Sequence, residues 1–290
     1  MKEKSFTRLI LSRKNLGGFT LIELLVVIAI IGIISSIVLV NLKGTREKAT
    51  IARGLQFSHS INNALGAYAV GIWSFDDSIS DNYANDTSGR GNNGNLTGHS
   101  PSQVDGIIGK ALNFNGSDQY VEIPTSLNLS NTENITEEFW FQADVSPPSG
   151  GYKAIFYTGS TGVQTGVLLS TNGKIYPYHN GNIYGNAPGA IGFLVIAGKW
   201  YHVAVVYEGL PNGPIIRLYV NGSLIESKTS LKNAGAETGG EIGRYKYVLP
   251  TSYFVGKIDE VRIYEEALIT GEIQKHYAEG LEKHKNLTLR

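Results

Sequence analysis

The sequence predicts a mainly β protein: a two-sheet β-sandwich preceded by one long amino-terminal α-helix and followed by a short carboxy-terminal helix. Three observations predict it. None of the nine prolines lies in the first hundred of the 290 residues, 29 of the 35 glycines follow residue 70, and from Gly71 onward short alternating apolar runs are separated by Gly, Asn, Asp and Pro. A front without proline can run as a single helix, whereas the back follows the grammar of strands and turns. The formal net charge of zero divides at the same place, since residues 1–70 hold nine Lys and Arg against three Asp and Glu, and residues 71–290 hold 16 against 22. An acidic back half lacks the basic footprint of a nucleic-acid binder, so no nucleic acid is expected as its partner. Cysteine is absent, which excludes disulfides, thiolate metal sites and a cysteine nucleophile. The 220 residues after residue 70 are enough to be held by their own core.

The front begins with MKEKSFTRLILSRKNLGG, in which Lys2, Lys4, Arg8, Arg13 and Lys14 stand against Glu3. A short basic stretch before an apolar one is an export signature. The 22 residues from Phe19 to Val40 carry one charge, Glu23. At about 1.5 Å per residue they reach roughly 33 Å, enough to cross a hydrocarbon core of about 30 Å. An ordinary signal peptide places its small-residue cleavage site after the apolar run; here Gly17-Gly18 precede it, so the apolar helix is retained. Glu23 is costly in lipid unless a partner charge meets it. Beyond the span, Ile51, Leu55, Ser58, Ile61, Leu65 and Tyr68 recur at intervals of three and four beside Lys43, Arg46, Lys48 and Arg53. That spacing predicts an amphipathic continuation to about Tyr68 with a basic collar at its start.

The string GG-FTLIELLVVIAIIGI resembles the class III signal of type IV prepilins and of the pseudopilins of type II secretion. The resemblance implies a leader at 1–18 removed by a prepilin peptidase after Gly18, and an assembly helix at 19–70. It implies that Phe19 becomes the N-methylated first residue and that Glu23, fifth in the mature chain, pairs with the amino terminus of a neighbouring subunit. The precursor would sit in the inner membrane with its amino terminus cytoplasmic and then enter an extracellular or periplasmic filament beside other pilin or pseudopilin subunits. Two departures, Val40-Asn41 where many type IVa pilins carry a kinking proline and the lack of a closing disulfide, favour a pseudopilin-like or minor subunit.

In the back half the clearest strands are ALNFN at 111–115, YVEI at 120–123, ITEEFWFQADV at 135–145, WYHVAVVYE at 200–208 and YFVGKIDEVRIY at 253–264. Asn221-Gly222 between IIRLYV and SLIES predicts a two-residue type I′ hairpin. Weaker runs bring the expectation to about a dozen strands in two packed sheets. Thr270 can cap a closing helix with Glu272 in its first turn, running through Ile273 and Tyr277 towards Leu281, and 281–290 reads as a tail.

The strings WSFDD, DTSGRGNNGNLTG, GIIGKALNFNGSDQYVEIP, GKWYHVAVVYEG, LYVNGSLI and GKIDEVRIYEEALITGEI resemble, in this order, the LamG-like domain of the concanavalin A-like lectin/glucanase superfamily. The resemblance implies a jelly-roll sandwich over 71–280. Glucanases of that superfamily use an E-x-D-x-x-E strand because glycoside hydrolysis needs two carboxyl groups across the scissile bond. The corresponding run here is K-I-D-E-V-R-I-Y-E, with Lys257 in place of the first glutamate, and G-x-S-x-G, H-E-x-x-H and G-x-x-x-x-G-K are absent. The six histidines show no ligand spacing, and His202 reads as a hydrogen-bonded strand residue. The domain is therefore expected to bind or to build, not to catalyse.

Many members of that superfamily bind calcium, which takes six to eight oxygen ligands. Asp118 and Asp259 are the first candidates, with Asp86, Asn92, Asn93 and Asp76 beside them, although Asp86, Asn92 and Asn93 lie in a glycine-rich stretch where such residues also make turns. Glycan contact calls for aromatic faces with amides nearby. KIYPYHNGNIYGN at 174–186 offers Tyr176, Tyr178 and Tyr184, or else forms an aromatic hairpin covering the sandwich. Trp73, Trp140 and Trp200 are expected in the core. The expectation is a filament subunit displaying a lectin-like domain to glycans or proteins, or a minor pseudopilin of a type II secretion or DNA-uptake machine whose jelly roll meets other subunits or cargo.

Overall fold

The structure, a computed structural model, describes residues 21–31, 68–79, 82–146, 151–159, 165–180, 182–183, 192–230, 238–246 and 252–288. The chain divides into two compact units, Met1–Asn62 and Asn63–Arg290. In the first, residues 21–31 form helix α1, and every one of its side chains is exposed, from Leu21 at 80% to Val27 at 44%. Ten of its eleven residues are apolar, and Glu23 is its one charge. Among the described residues no helix is long and apolar enough to cross a membrane. Residues 19–20 and 32–40 of the expected span, and the amphipathic stretch after it, lie outside the described residues.

The second unit begins with β1 (Ala69–Trp73), β2 (Tyr83–Ala84), β3 (Gly94–Thr97), β4 (Ser102–Asp105), β5 (Lys110–Asn115), β6 (Tyr120–Asn128), β7 (Asn134–Ala143), β8 (Lys153–Thr158) and β9 (Thr165–Leu169). It continues with β10 (Lys174–His179), β11 (Asn182–Ile183), β12 (Phe193–Leu194), β13 (Trp200–Glu208), β14 (Ile215–Val220), β15 (Ser223–Thr229), β16 (Thr238–Ile242), β17 (Arg244–Tyr245), β18 (Ser252–Tyr253) and β19 (Val255–Tyr264), and closes with α2 (Thr270–Thr288). One antiparallel sheet has the order β15-β14-β13-β7-β19-β5-β4, with β1 also on β19; the other runs β11-β10-β9-β8-β16-β6-β3-β2, with β12 on β10. The sequence missed most of the two-residue strands, which are too short to show a period.

Strand β7 is the centre of the first sheet, paired with β13 from Asn134↔Glu208 to Gln142↔Trp200 and with β19 on its other side. Alternation sends Ile135, Phe139, Phe141 and Ala143 into the core between the sheets, where they meet Phe156, Leu112, Phe114 and Phe254. Burying each such side chain contributes about 2 kcal/mol. Thr136, Glu138 and Trp140 point the other way and are buried as well, because α2 covers that face. The helix comes close: Trp140 stacks on Tyr277 with ring centroids 5.7 Å apart, and a Cβ at Gly280 would stand 2.6 Å from Trp140 Cζ2.

The expected hairpin is present, with Asn221 at φ 50° and Gly222 at φ 73° between β14 and β15. The run 253–264 is not one strand. Phe254 turns into the core and donates its N–H to Gly243 O at 2.8 Å, leaving Ser252–Tyr253 to pair with β17. Helix α2 continues through Thr288 into the stretch read as a tail, where no Pro or Gly stops it and lysines suit its carboxy-terminal end.

Candidate functional site

Of the amino-terminal candidates, Glu23 lies in α1 and is exposed, while Gly18 and Phe19 lie outside the described residues. In the β domain the acidic groups of β7 stand out. Glu138, on the outer face, is held between two imidazoles, with His202 Nε2 2.7 Å from Oε1 and His276 Nδ1 2.8 Å from Oε2. Burial opposes its charge, but the two histidines outweigh that and hold its carboxyl well below the usual range. Arg262 lies opposite Glu138 on β19 and pairs with Glu260 at 2.5 Å. The space left under α2 beside these groups is about 10 Å³, too small for a substrate. The cluster fastens the helix to the sheet.

Glu137, the next residue, faces the core and is fully buried. It accepts hydrogen bonds from the hydroxyls of Thr158, at 3.1 Å, and Thr165, both on the opposite sheet. Burial pushes its carboxyl up to about 8, so at neutral pH it is mostly a protonated acid joining the two sheets. Glu137 and Glu138 thus open onto opposite sides of the sheet and cannot flank one glycosidic bond.

The calcium candidates fall into separate places. Asp86 Oδ1 accepts the N–H groups of Ile72 and Ser88, both at 2.9 Å, and its Oδ2 accepts Ser88 Oγ and Asn92 N–H, both at 2.8 Å. Asn93 caps Asp86 in turn, and Asn92 spans Val70 O and Ser126 Oγ. Asp259 Oδ2 accepts the N–H groups of Ile107 and Ile108 at 2.9 and 3.1 Å, and Asp76 accepts that of Lys110 at 2.7 Å. These two aspartates grip the Gly106–Gly109 loop from either end, where a Cβ at Gly106 would stand 2.4 Å from Asp259 Oδ2 and one at Gly109 2.0 Å from Asp76 Oδ1. Asp118 sits elsewhere, bonded to exposed His99 and to Asn115. Among the described residues no three acidic or histidine side chains are placed to share a metal ion; of the candidates, Asp86, Asn92 and Asn93 meet in one turn, Asp76 and Asp259 hold the Gly106–Gly109 loop, and Asp118 lies beside His99.

The tyrosines of β10 are buried rather than displayed on a loop. Tyr176, 2% exposed, accepts a hydrogen bond from Asn172, and Tyr178, 5% exposed, accepts one from Tyr245, on the outer face of the nine-stranded sheet. Tyr184 lies outside the described residues. Trp73 and Trp140 are buried as expected, but Trp200 is half-exposed on the outer face of the eight-stranded sheet. The parity of its own run carries that signal, since Tyr201, Val203 and Val205 face inward.

Comparison with known proteins bears on both parts of the chain. The model of the concanavalin A-like lectin/glucanases superfamily matches residues 115–274, and that of the prokaryotic N-terminal methylation motif matches residues 13–39. At its amino-terminal end the chain is 40% identical over 60 residues to a type II secretion system core protein G from Aeromonas hydrophila, covering 21% of this chain and 42% of that protein. The corresponding Escherichia coli K12 protein is 43% identical over 53 residues, 18% of this chain and 37% of that protein. The chain thus spans about two fifths of the length of the curated relatives it matches. Among solved structures, domain 4 of AbnA, a GH43 extracellular arabinanase from Geobacillus stearothermophilus in complex with arabinotriose, superposes with a TM-score of 0.57 at 21% identity, over 72% of this chain and 98% of that one. At that identity the likeness speaks for the fold.

Proposed function

Because the chain belongs to the concanavalin A-like lectin/glucanases superfamily, whose model covers more than half of it, we propose that it is a subunit of a type IV pilus-like or pseudopilus filament that displays a lectin-like jelly roll. The observation that carries the reading is the methylation motif at residues 13–39, set on a helix whose described part is apolar except for Glu23 and joined to a binding-type sandwich. Such a helix requires lipid in the precursor and other helices in the product. Processing by a prepilin peptidase at Gly18-Phe19, anchorage in the inner membrane and docking of Glu23 on a neighbouring amino terminus complete the reading. The jelly roll acts by binding, to surface glycans or proteins: Lys257 interrupts the acidic strand, and Glu137 and Glu138 face opposite ways. In a strain producing the protein, sheared filaments should contain the chain, and Glu23→Ala should leave it in the membrane fraction. Filament recovery unchanged by that substitution contradicts the assembly role.

The match to type II secretion core protein G favours one second reading, a pseudopilus subunit whose jelly roll meets other subunits or cargo. Deleting the gene then abolishes secretion without removing a surface filament.

A further inference from the structure

Five side chains from five adjacent strands form a single row on the outer face of the eight-stranded sheet. Ser102 is in register with Asn113, Asn113 with Lys257, Lys257 with Gln142, and Gln142 with Trp200. Alternation places all five on the face away from the core, because their neighbours Leu112, Ile258, Phe141 and Tyr201 point inward. The next row on that face holds Ala111, Asp259, Trp140 and His202, which are buried beneath α2 and the Gly106–Gly109 loop. The row itself is open, with Ser102 exposed and the other four half-exposed.

The chemistry of the row is that of a ligand surface. Gln142 donates from Nε2 to Gly198 O at 2.9 Å, which fixes its amide and leaves Oε1 as an acceptor. The side chains of Asn113, Lys257 and Trp200 form no hydrogen bond or ion pair with other described residues; Asp105 is close enough to feel the charge of Lys257 but is bonded to Lys110 at 2.7 Å. With strands about 4.8 Å apart, the row is roughly 19 Å long, the length of a short oligosaccharide. An indole at one end, two amides and a hydroxyl along the way, and one ammonium at the centre match a sugar chain with a ring on Trp200 and hydroxyls on the amides. A neutral sugar over Lys257 would strip its water without replacing the charge partner, whereas a carboxylate offsets that cost.

We infer that this row is the glycan-binding face of the domain and that it takes an acidic, uronate-containing oligosaccharide lying across the strands, with its carboxylate on Lys257. The inference rests on the lectin-like reading above but not on filament assembly. Detergent-solubilised full-length protein should bind a galacturonic acid tetrasaccharide in calorimetry and bind the neutral galactose tetrasaccharide at least tenfold more weakly. Lys257→Met should erase that preference, and Trp200→Ala should weaken the acidic ligand at least tenfold. Melting curves of both variants, recorded beside the titrations, separate lost binding from lost fold. Equal binding of the two sugars, no binding of either, or acidic-sugar affinity unchanged in both variants overturns the assignment. The same protein's assembly into filaments, scored separately, decides the broader reading.

Discussion

His276 Nδ1 lies 2.8 Å from Glu138 Oε2, so the closing helix is tied to the central strand through a buried carboxylate that also receives His202 at 2.7 Å. Removing one partner of such a cluster leaves the others buried without compensation, which costs about 3–5 kcal/mol. Glu138→Ala should therefore lower the melting temperature by roughly 10 °C in a domain of this size. Amide exchange in α2 should rise with it, and a variant with wild-type exchange across 270–288 would show that the helix is held by other contacts. The sign with pH follows from the direction of the shift. A carboxyl held below its ordinary value contributes stability that is present above that value and is lost as pH falls towards the folded one, so Glu138 should weaken the fold on the acid side only.

Glu137 should do the opposite. Its carboxyl is pushed from 4.5 up to about 8 by burial, so the stability belonging to the protonated acid is complete below 4.5 and is lost as pH climbs through 8. Glu137→Gln cannot ionise and is close in size. The urea midpoint of the wild type should fall more steeply between about pH 5 and 9 than that of the variant, by an amount equivalent to a few kcal/mol. Parallel curves would mean that the group between Thr158 and Thr165 does not titrate in that range.

Asp259 Oδ2 accepts the backbone N–H groups of Ile107 and Ile108, and we propose that this, not a cation, is its role. Its carboxyl is also pushed up to about 8, by burial first. Asp259→Asn keeps an acceptor for the two N–H groups and should cost under about 1.5 kcal/mol, whereas Asp259→Ala strands both and should cost about 2–4 kcal/mol. Calcium should not change the melting temperature of either variant relative to the wild type. A calcium-dependent rise in the wild type that Asp259→Asn removes would restore the metal assignment.

Much of the fold is legible in the residues, and the reasons are local. The run 200–208 coincides with β13 because its alternation is uninterrupted, and Asn221-Gly222 specifies its turn because both positions need positive φ. The amino-terminal motif is legible for a different reason: the string GG-FTLIELLVVIAIIGI resembles the prepilin signal almost residue by residue, and a carboxylate in an apolar run calls for a partner charge. The aspartates were harder to assign. An Asp beside glycines looks the same in sequence whether it meets a cation or a backbone N–H, and the N–H groups that meet Asp259 come from a loop 152 and 151 residues away. Between Asp259 and Arg262 a register shift, with Glu260 at φ 50°, moves β19 from its pairing with β5 to its pairing with β1, and no local pattern announces it. The row through Lys257 is invisible for the same reason, since its members come from five strands between residues 102 and 257.

The central claim, a processed filament subunit carrying a binding domain, is tested most directly at the amino terminus of the protein isolated from its own cells. Mass spectrometry should find a chain that begins at Phe19 and carries a methyl group on its α-amino nitrogen. A chain that retains residues 1–18, or one cut after the apolar run near Val40, would contradict the account.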